Sequence, residues 1–301
     1  MTVPDTSIII LTKNGGDNFP RLLERIYSQQ YEGGFEVIVI DSGSADGTLE
    51  EARKYPVQIE EITPEQFHHS RTRNLGAELA QGQYVAYITQ DALPLENCWL
   101  EKLTAGFSDP QVAMVSGRQI AREKTKPPEK FFYHHNFPEF RLVIKSGADN
   151  YYHDNVFISD VNSAYRKDAL LKYRFKEDIV LAEDKEIAAR FTGDGLAVCY
   201  EPSAAVYHSH DHGLKDLFAR HLDFGLALRQ GVSGRPKTSH ESLAGTADYL
   251  RAEFKFLKAS GYRKWLPYSF LYETVRYAGL LMGKTGLLLG PTARRIKRDN
   301  V

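Results

Sequence analysis

The chain has 301 residues, of which 42% are hydrophobic and 26% charged, and its formal net charge is -1. This length allows one large domain or two modest ones, and the composition is ordinary for a globular protein. The balanced charge excludes nucleic acid as a partner, and the two cysteines, which form neither a disulfide framework nor a metal-type spacing, indicate a reducing, cytosolic setting.

The first 120 residues alternate between strand-like and helix-like segments. Continuous apolar runs such as SIIILT and FEVIVID are typical of strands buried on both faces. Between such runs lie segments with apolar residues at helical spacing, for example FPRLLERIYSQQ. Repeated strand-helix units predict an α/β fold with a mostly parallel, Rossmann-like central sheet and flanking helices.

Polar side chains follow three of the predicted strands at the point where each ends. They are Thr12, Asn14, Asp41, Ser42, Gln90 and Asp91. In open α/β sheets, ligands bind outside the carboxyl ends of the strands. We therefore expect a ligand site at this edge, and the absence of G-x-G-x-x-G after the first strand argues against a dinucleotide.

The helical segment EQFHHSRTRNLGAELAQG gathers basic side chains at its start, among them His69, Arg71 and Arg73. Backbone N–H groups at a helix N-terminus favour phosphate, and arginine guanidinium groups reinforce that preference. The segment therefore indicates a phosphate contact. The structural alternative is that these arginines lie on a solvated helix surface.

A later helical segment, LAEDKEIAARFTGDG, opens with the adjacent carboxylates Glu183 and Asp184. Acidic residues in a first turn complement the helix dipole, which gives this pair an ordinary structural explanation. Two short strands follow, and after the second come His208, His210 and His212. On an extended strand these three would share one face, where they could bind zinc or face solvent. His208 directly follows the apolar strand, so it is expected to point into a site, as a ligand for a divalent ion of the Mn class.

Beyond His212 the sequence becomes helical, and a boundary near residue 211 divides a domain of residues 1–210 from a helical region of residues 211–301. Between Gly261 and Arg298, eight Lys and Arg residues face one acid, Glu273, and are interleaved with aromatic residues. This pattern suits an interfacial membrane contact. A helical subdomain packed on the catalytic core, or a homodimer interface, is the alternative.

The N-terminal stretch MTVPDTSIII lacks a basic leader followed by a long apolar core. No uninterrupted apolar run approaches the ~18 residues that a membrane span requires. We therefore expect a cytoplasmic protein that is at most peripheral at the inner face of the plasma membrane.

Four segments, taken together, carry a resemblance: SIIILTKNGG, EVIVIDSGSADGT, TRNLGAELAQGQYVAYITQDALP, and EDKEIAARF with GLAVCYEPSAAVYHSH. In order and spacing they are similar to the inverting nucleotide-sugar glycosyltransferases of family 2, which have a GT-A fold, over residues 5–210. Within that family, the F-x-H-x-x-T-R-N segment at residues 67–74 and the tetrapeptide TQDA resemble bacterial rhamnosyltransferases that use dTDP-L-rhamnose.

The resemblance implies roles for the residues that match. Donor nucleotide binding would involve Thr12, Asn14, Asp41, Ser42 and Arg73. The donor sugar and diphosphate would contact His69, Gln90 and Asp91. A divalent metal, Mg or Mn, would be held by Asp91 and His208. The catalytic base would be Asp184, and the acceptor would be bound by Asn162, Arg166 and Glu183.

Two positions depart from the family pattern. Ser42 stands where many relatives carry a second acid beside Asp41, and Thr89 replaces the first Asp of the metal-binding Asp-x-Asp motif, whose last Asp is Asp91. A divalent ion at a nucleotide sugar takes much of its coordination from the diphosphate and water. We therefore expect little metal binding without the donor.

The resemblance implies an inverting rhamnosyltransferase that moves L-rhamnose from dTDP-β-L-rhamnose to a glycan or lipid-linked glycan acceptor in bacterial surface polysaccharide synthesis. An alternative within the class is a UDP-hexose or another deoxysugar as donor. Two other classes stay open. One is a metal-dependent hydrolase built on His208, His210 and His212, and the other is a non-catalytic glycan-binding module descended from this fold.

Overall fold

The computed structural model of the protein describes residues 3–145, 158–179, 181–229 and 243–286. The chain divides into two compact units, residues 1–122 with 133–208, and residues 123–132 with 209–301. The two units are defined by how their residues pack and not by what they do. The assignment of the catalytic role to residues 1–210 and of a partner-binding role to residues 211–301 stays a prediction.

The first unit contains one sheet, in which nine strands are described. They are β1 (Thr6–Thr12), β2 (Phe35–Asp41), β3 (Gln58–Glu61), β4 (Tyr84–Ile88), β5 (Leu93–Pro94), β6 (Val112–Ile120), β7 (Leu142–Lys145), β8 (Asn162–Arg166) and β9 (Ala197–Tyr207). Their order is β3-β2-β1-β4-β8-β6-β9-β5, with β7 paired to β9.

Six of these nine strands run in one direction. The neighbours β3, β2, β1 and β4 are joined by parallel pairings. Strand β8 is antiparallel to both β4 and β6, so β6 follows the direction of β4, and β9 runs parallel to β6. Only β8, β5 and β7 are reversed. The predicted α/β fold with a mostly parallel central sheet is therefore confirmed.

Helices flank the sheet and bury one apolar side against it. Their bounds are α1 (Asn18–Tyr27), α2 (Thr48–Ala52), α3 (His69–Leu79), α4 (Trp99–Thr104), α6 (Lys167–Tyr173) and α7 (Glu183–Gly193), with a 3-10 turn at Ala105–Ser108. The helix between them in the chain, α5 (Pro127–Asn136), has residues in both units. In α1, the buried residues Phe19, Leu22, Leu23 and Ile26 recur at helical spacing and join the core of the sheet. The apolar run of β1 is buried on both faces, as predicted.

Asn162, predicted to bind the acceptor, instead ties the sheet together. Its side chain is completely buried. Its Oδ1 accepts from Trp99 Nε1 at 2.9 Å, and its Nδ2 donates to the carbonyl oxygens of Arg118 at 3.2 Å and Ala204 at 2.8 Å. The acceptor assignment is wrong for this residue, because its polar atoms already bond to α4, β6 and β9.

Arg166 is also placed away from the predicted acceptor site. It pairs with Tyr84 at the amino end of β4, at the edge of the sheet opposite to the one where Gln90 and Asp91 follow that strand. Its guanidinium donates to the carbonyl oxygens of Val112 at 2.8 Å and Phe107 at 2.6 Å. The acceptor assignment is therefore corrected here as well.

The second unit is helical, with α8 (Leu214–Arg229), α9 (Leu243–Ala259), a 3-10 turn (Arg263–Trp265) and α10 (Leu266–Thr285). Helices α8 and α10 pack with their backbones close together. A Cβ atom added to Gly279 or Gly283 would collide with backbone carbonyl groups of α8. Among the described helices, none combines the length and the apolar character needed to cross a membrane.

The junction around Asn162 predicts a stability effect at Gly117. A Cβ atom there would collide with the Asn162 side chain and the Ala204 carbonyl. We expect Gly117→Ala to lower the free energy of unfolding by about 1–3 kcal/mol in urea denaturation, because the surrounding strands cannot give way without strain. Gly193→Ala is the matched control, since a Cβ on Gly193 meets nothing within 4 Å. Equal stability of the two variants would contradict the prediction.

Candidate active site at the carboxyl ends of the strands

Asp41 shapes the loop that follows β2. Its buried carboxylate accepts from the backbone N–H groups of Gly43 at 2.9 Å and Ser44 at 2.8 Å, and from Ser44 Oγ at 2.5 Å. Gly43 has a φ of 91°, a left-handed conformation that glycine adopts at little cost. The neighbouring Ser42 is buried, and its N–H donates to Thr12 O at 3.0 Å. Both residues thus fix the loop beside the predicted nucleoside.

The loop after β1 is joined to that loop by Asn14. Its N–H donates to Ser44 Oγ at 2.8 Å, while its Oδ1 accepts from the N–H of Ala45 at 2.9 Å. The backbone of Asn14 is left-handed, with a φ of 49°, which asparagine tolerates better than most residues. The two predicted nucleotide-binding loops therefore form one hydrogen-bonded surface.

Gln90 joins the end of β4 to the end of β1. Its Oε1 accepts from Thr12 Oγ1 at 2.6 Å and from the N–H of Lys13 at 2.9 Å. Its Nε2 donates to Lys13 O at 3.1 Å. These three bonds align Asp91, the next residue, with the loops after β1 and β2.

Asp91 and His208 are brought together. His208 Nε2 lies 3.6 Å from Asp91 Oδ2, and the histidine is 4% exposed. On the other side of the ring, Nδ1 is 2.9 Å from Gln119 Oε1. Nδ1 also lies 3.3 Å from Tyr133 Oη, so Nδ1 contacts protein groups and Nε2 is the ring nitrogen directed at the carboxylate. An imidazole nitrogen facing a carboxylate oxygen is a donor set that suits a divalent cation.

Two residues around this pair were not singled out from the sequence. Gln119, near the end of β6, orients the imidazole, and the Arg122 guanidinium donates to the backbone carbonyl of Asp91. The only sequence signal for Gln119 was a polar residue close to the end of an apolar strand. Arg122 opens the charged stretch REKTKPPEK, which carries no recognisable site pattern.

The three histidines do not share a strand face, which corrects the prediction made from their alternation. Strand β9 ends at Tyr207, before the first of them. His210 and His212 belong to the second unit, where their rings stack at 5.0 Å and the His210 N–H donates to Glu129 Oε1 at 2.8 Å. The geometry that motivated a zinc hydrolase is therefore absent from β9.

Arg73, predicted to bind the donor, lies in a buried acidic cluster. Its guanidinium is within 2.5 Å of Glu183 Oε1 and 3.2 Å of Asp160 Oδ2, and its side chain is 9% exposed. His69, at the start of the same helix, packs edge-on to Phe67 with ring centroids 5.0 Å apart. The structure thus directs Arg73 at protein carboxylates, and Glu183, predicted to bind the acceptor, is buried against it.

Burial sets the proton affinity of this cluster. It raises the pKa of Glu183 to about 7 and that of Asp160 to about 6, while Arg73 opposes the rise in both and the nearby Asp184 adds to it. These carboxylates raise the pKa of Arg73 above its ordinary value, so its guanidinium stays charged. The single positive charge of Arg73 therefore offsets the negative charge of the three carboxylates only in part.

Asp184, the predicted base, is half-buried in the first turn of α7. Its Oδ2 accepts from the N–H of Asp160 at 3.3 Å, and its Oδ1 accepts from the N–H of Lys185 at 2.7 Å. The segment that leads into β8 also bonds to the end of β4, since Thr89 N–H donates to Val161 O at 3.2 Å. Asp184 therefore lies at the edge of the sheet where Asp91 follows β4.

Known proteins resemble this chain in sequence over most of its length. Residues 7–174 match the model of glycosyl transferase family 2. The O-antigen chain rhamnosyltransferase RfbN of Salmonella typhimurium is 30% identical over 284 residues, which are 92% of this chain and 89% of RfbN. The O-antigen chain rhamnosyltransferase WbaN of Salmonella anatum is 28% identical over 291 residues, or 94% and 90%.

Two solved structures share the fold at low identity. The mannosyltransferase PcManGT from Pyrobaculum calidifontis, in complex with GDP-Man and Mn²⁺, superposes with a TM-score of 0.58 at 18% identity, over 97% of this chain and 82% of that one. TarS 1–349 of S. aureus, in complex with UDP, gives 0.55 at 15% identity, over 94% and 90%. These likenesses confirm the predicted GT-A fold.

Proposed function

This chain belongs to glycosyl transferase family 2, and we propose that it transfers L-rhamnose from dTDP-β-L-rhamnose to a glycan or lipid-linked glycan acceptor in O-antigen synthesis. The choice of sugar and pathway is supported by RfbN and WbaN, which align over most of their own lengths. The observation that carries the proposal is the position of Asp184 at the same edge of the sheet as the strand-end residues.

The donor would lie on the loops after β1, β2 and β4. Thr12, Asn14, Asp41 and Gln90 hold these loops in one surface, and their backbone groups face the edge where nucleotides bind in open α/β sheets. His69 packs against the ring of Phe67, and its predicted contact with the donor stays a prediction. Arg73 is buried among carboxylates.

The residues present fit a divalent metal, which Asp91 and His208 would hold. Bound there, such an ion would stabilise the negative charge that develops on the departing nucleoside diphosphate. Thr89 supplies no carboxylate at the position where the family has its first Asp, so the chain offers few ligands of its own. The donor diphosphate would have to supply the others.

Asp184 would act as the general base. The N–H groups of Asp160 and Lys185 hold its carboxylate in place. As the acceptor hydroxyl attacks the anomeric carbon, its proton passes to Asp184, the new C–O bond forms, and the bond to the diphosphate breaks on the opposite face. Inversion follows, so a β-linked donor gives an α-L-rhamnoside.

The base assignment is tested by Asp184→Asn. The amide keeps the shape of the carboxylate but cannot take up the proton, so we expect transfer to fall by about 10²–10⁴-fold. Transfer is measured from dTDP-β-L-rhamnose to the best acceptor in a panel of synthetic alkyl diphosphate glycosides. The affinity for dTDP is measured by calorimetry and is expected to be unchanged. Asp194→Asn, at the exposed far end of α7, is the control. Near-wild-type turnover of Asp184→Asn would refute the role.

The metal and nucleotide assignments are tested by thermal shift with dTDP, UDP and GDP, each with and without Mg²⁺ or Mn²⁺. We expect the largest stabilisation from dTDP with metal and little from metal alone. Asp91→Asn should weaken metal-dependent dTDP binding by about tenfold or more, or ~1.4 kcal/mol, because a ligand charge is lost. Glu96→Gln, at a carboxylate paired with Lys102, is the control. Unchanged metal dependence in Asp91→Asn would count against this site.

We also propose that the second unit contacts anionic lipid. On α10, Phe270 is 77% and Leu281 60% exposed, and their separation of eleven residues places them on the same side of the helix. The exposed residues Arg263 and Lys264 lie in the turn before α10, and Lys284 lies in its last turn. Exposed apolar side chains flanked by cations suit the headgroup region of a membrane.

The lipid contact is tested by co-sedimentation with vesicles. We expect binding to vesicles that contain phosphatidylglycerol and little binding to pure phosphatidylcholine. The double variant Phe270→Ser with Leu281→Ser should weaken binding by about tenfold or more, because two apolar side chains leave the interface. The control replaces the exposed Phe140 and Leu171 of the first unit by serine. A wild-type dimer that ignores vesicles and becomes monomeric in the double variant would favour the homodimer interface instead.

A further inference from the structure

Arg73 is largely buried, with its side chain 9% exposed. Asp160 and Glu183 contact its guanidinium, and the rings of Tyr87 and Phe175 lie about 6 Å from Cζ, at 6.0 and 5.9 Å. Tyr87 Oη also donates to the Arg73 carbonyl at 2.8 Å. A guanidinium with two carboxylate partners and two aromatic rings beside it presents little surface to a diphosphate.

The two carboxylates come from the two segments that hold Asp184. Glu183 directly precedes Asp184 and begins α7, and Asp160 donates its backbone N–H to Asp184 Oδ2. Asp160 is itself fixed, because its Oδ1 accepts from Ser163 Oγ at 2.7 Å and Tyr165 Oη at 2.5 Å. Arg73 therefore links Asp160 and Glu183, the two residues next to the proposed base, to α3.

The bond from Arg73 to Glu183 supports the first turn of α7. Ala182, the residue before the helix, has a φ of 67° and a ψ of 32°, a left-handed conformation that is strained for a non-glycine residue. Without the bond from Arg73 to Glu183, this strained turn would lose one of the contacts that hold it. The carboxylate of Asp184 would then no longer be held at one position.

The charges around Asp184 give Arg73 a second effect. The titratable groups in this cluster are Asp160, Glu183, Tyr87 and Tyr165, and Arg73 is their one cationic partner among the contacts described. If its charge is removed, the remaining carboxylates repel one another, and each binds a proton more readily. Glu183 and Asp160, whose pKa values Arg73 lowers, would then ionise only at a higher pH.

We propose that Arg73 is a positioning residue for the general base and not a ligand of the donor: by joining Asp160 to Glu183 it fixes Asp184 at the site of proton transfer. The inference rests on the proposed role of Asp184. It predicts that loss of Arg73 affects turnover and its pH dependence, while affinity for the nucleotide stays the same.

The experiment compares Arg73→Gln and Arg73→Lys with Asp184→Asn and the double variant Arg73→Gln/Asp184→Asn. Each is measured in the transfer assay across pH and by calorimetry with dTDP. Because Arg73→Gln leaves Glu183 buried without a cation, a further variant, Arg73→Gln/Glu183→Gln, replaces the pair by two amides of similar shape and keeps the test valid if the single variant fails to fold.

We expect kcat to fall by about 10²-fold in Arg73→Gln and Arg73→Gln/Glu183→Gln, and by less in Arg73→Lys, which keeps the charge. The acidic limb of the pH–rate profile of Arg73→Gln should move up by about one unit, and the affinity for dTDP should stay within about twofold. In the Asp184→Asn background, Arg73→Gln should cause no further loss, because both changes act through one carboxylate.

A fall in dTDP affinity of about tenfold or more in Arg73→Gln would make Arg73 a donor ligand and overturn the proposal. An unmoved acidic limb, or losses that multiply in the double variant with Asp184→Asn, would also overturn it, because Arg73 would then act independently of the base. Failure of the proposed function has a different signature. It appears as full transfer by Asp184→Asn alone, whatever Arg73→Gln does.

Discussion

The antiparallel pairing of β8 with β4 is the constraint on which the candidate active site depends. The other strands next to β1 and β4 are parallel and can bring only their own carboxyl ends to the shared edge. Strand β8 runs the other way, so the segment that enters it, with Asp160 and Val161, meets the residues that leave β4. A carboxylate bonded to that segment, Asp184, is thereby brought to the edge where the donor would bind. A parallel strand at this position would have placed Asp160 at the opposite edge of the sheet.

Residues whose roles follow from strand ends could be predicted from the sequence, and residues whose roles depend on distant partners could not. The strands β1, β2 and β4 are recognisable in the sequence as apolar runs. Because parallel strands bring their carboxyl ends together, Thr12, Asp41 and Asp91 are expected at one edge of the sheet. Arg73 bonds to a residue 110 positions away. No local pattern distinguishes a buried arginine that meets two carboxylates from one that meets a phosphate, since the guanidinium recognises both with the same geometry.

The same limit applies to Asn162 and His208. The amide of Asn162 reaches residues 42 to 63 positions away, on three different elements, so its structural role follows only from the assembled sheet. His208 could be singled out because it follows an apolar strand. The orientation of its ring could not be predicted, because that depends on Gln119, 89 positions earlier. Alternation alone suggested a shared face for three histidines, but the strand ends before it reaches them.

The burial of Arg73 decides between its two possible roles. A guanidinium desolvated among protein groups is stable only if carboxylates replace the water it has lost, and removing one member of such a buried pair typically costs about 3–5 kcal/mol. To reach a diphosphate, Arg73 would have to leave Asp160 and Glu183 buried without a cation. The charge of the donor cannot offset that loss, because a phosphate would add negative charge to the same cluster. The arrangement is consistent with the proposed positioning role, in which the arginine stays paired with the two acids while the proposed base, Asp184, and the Asp91–His208 pair act on the reactants.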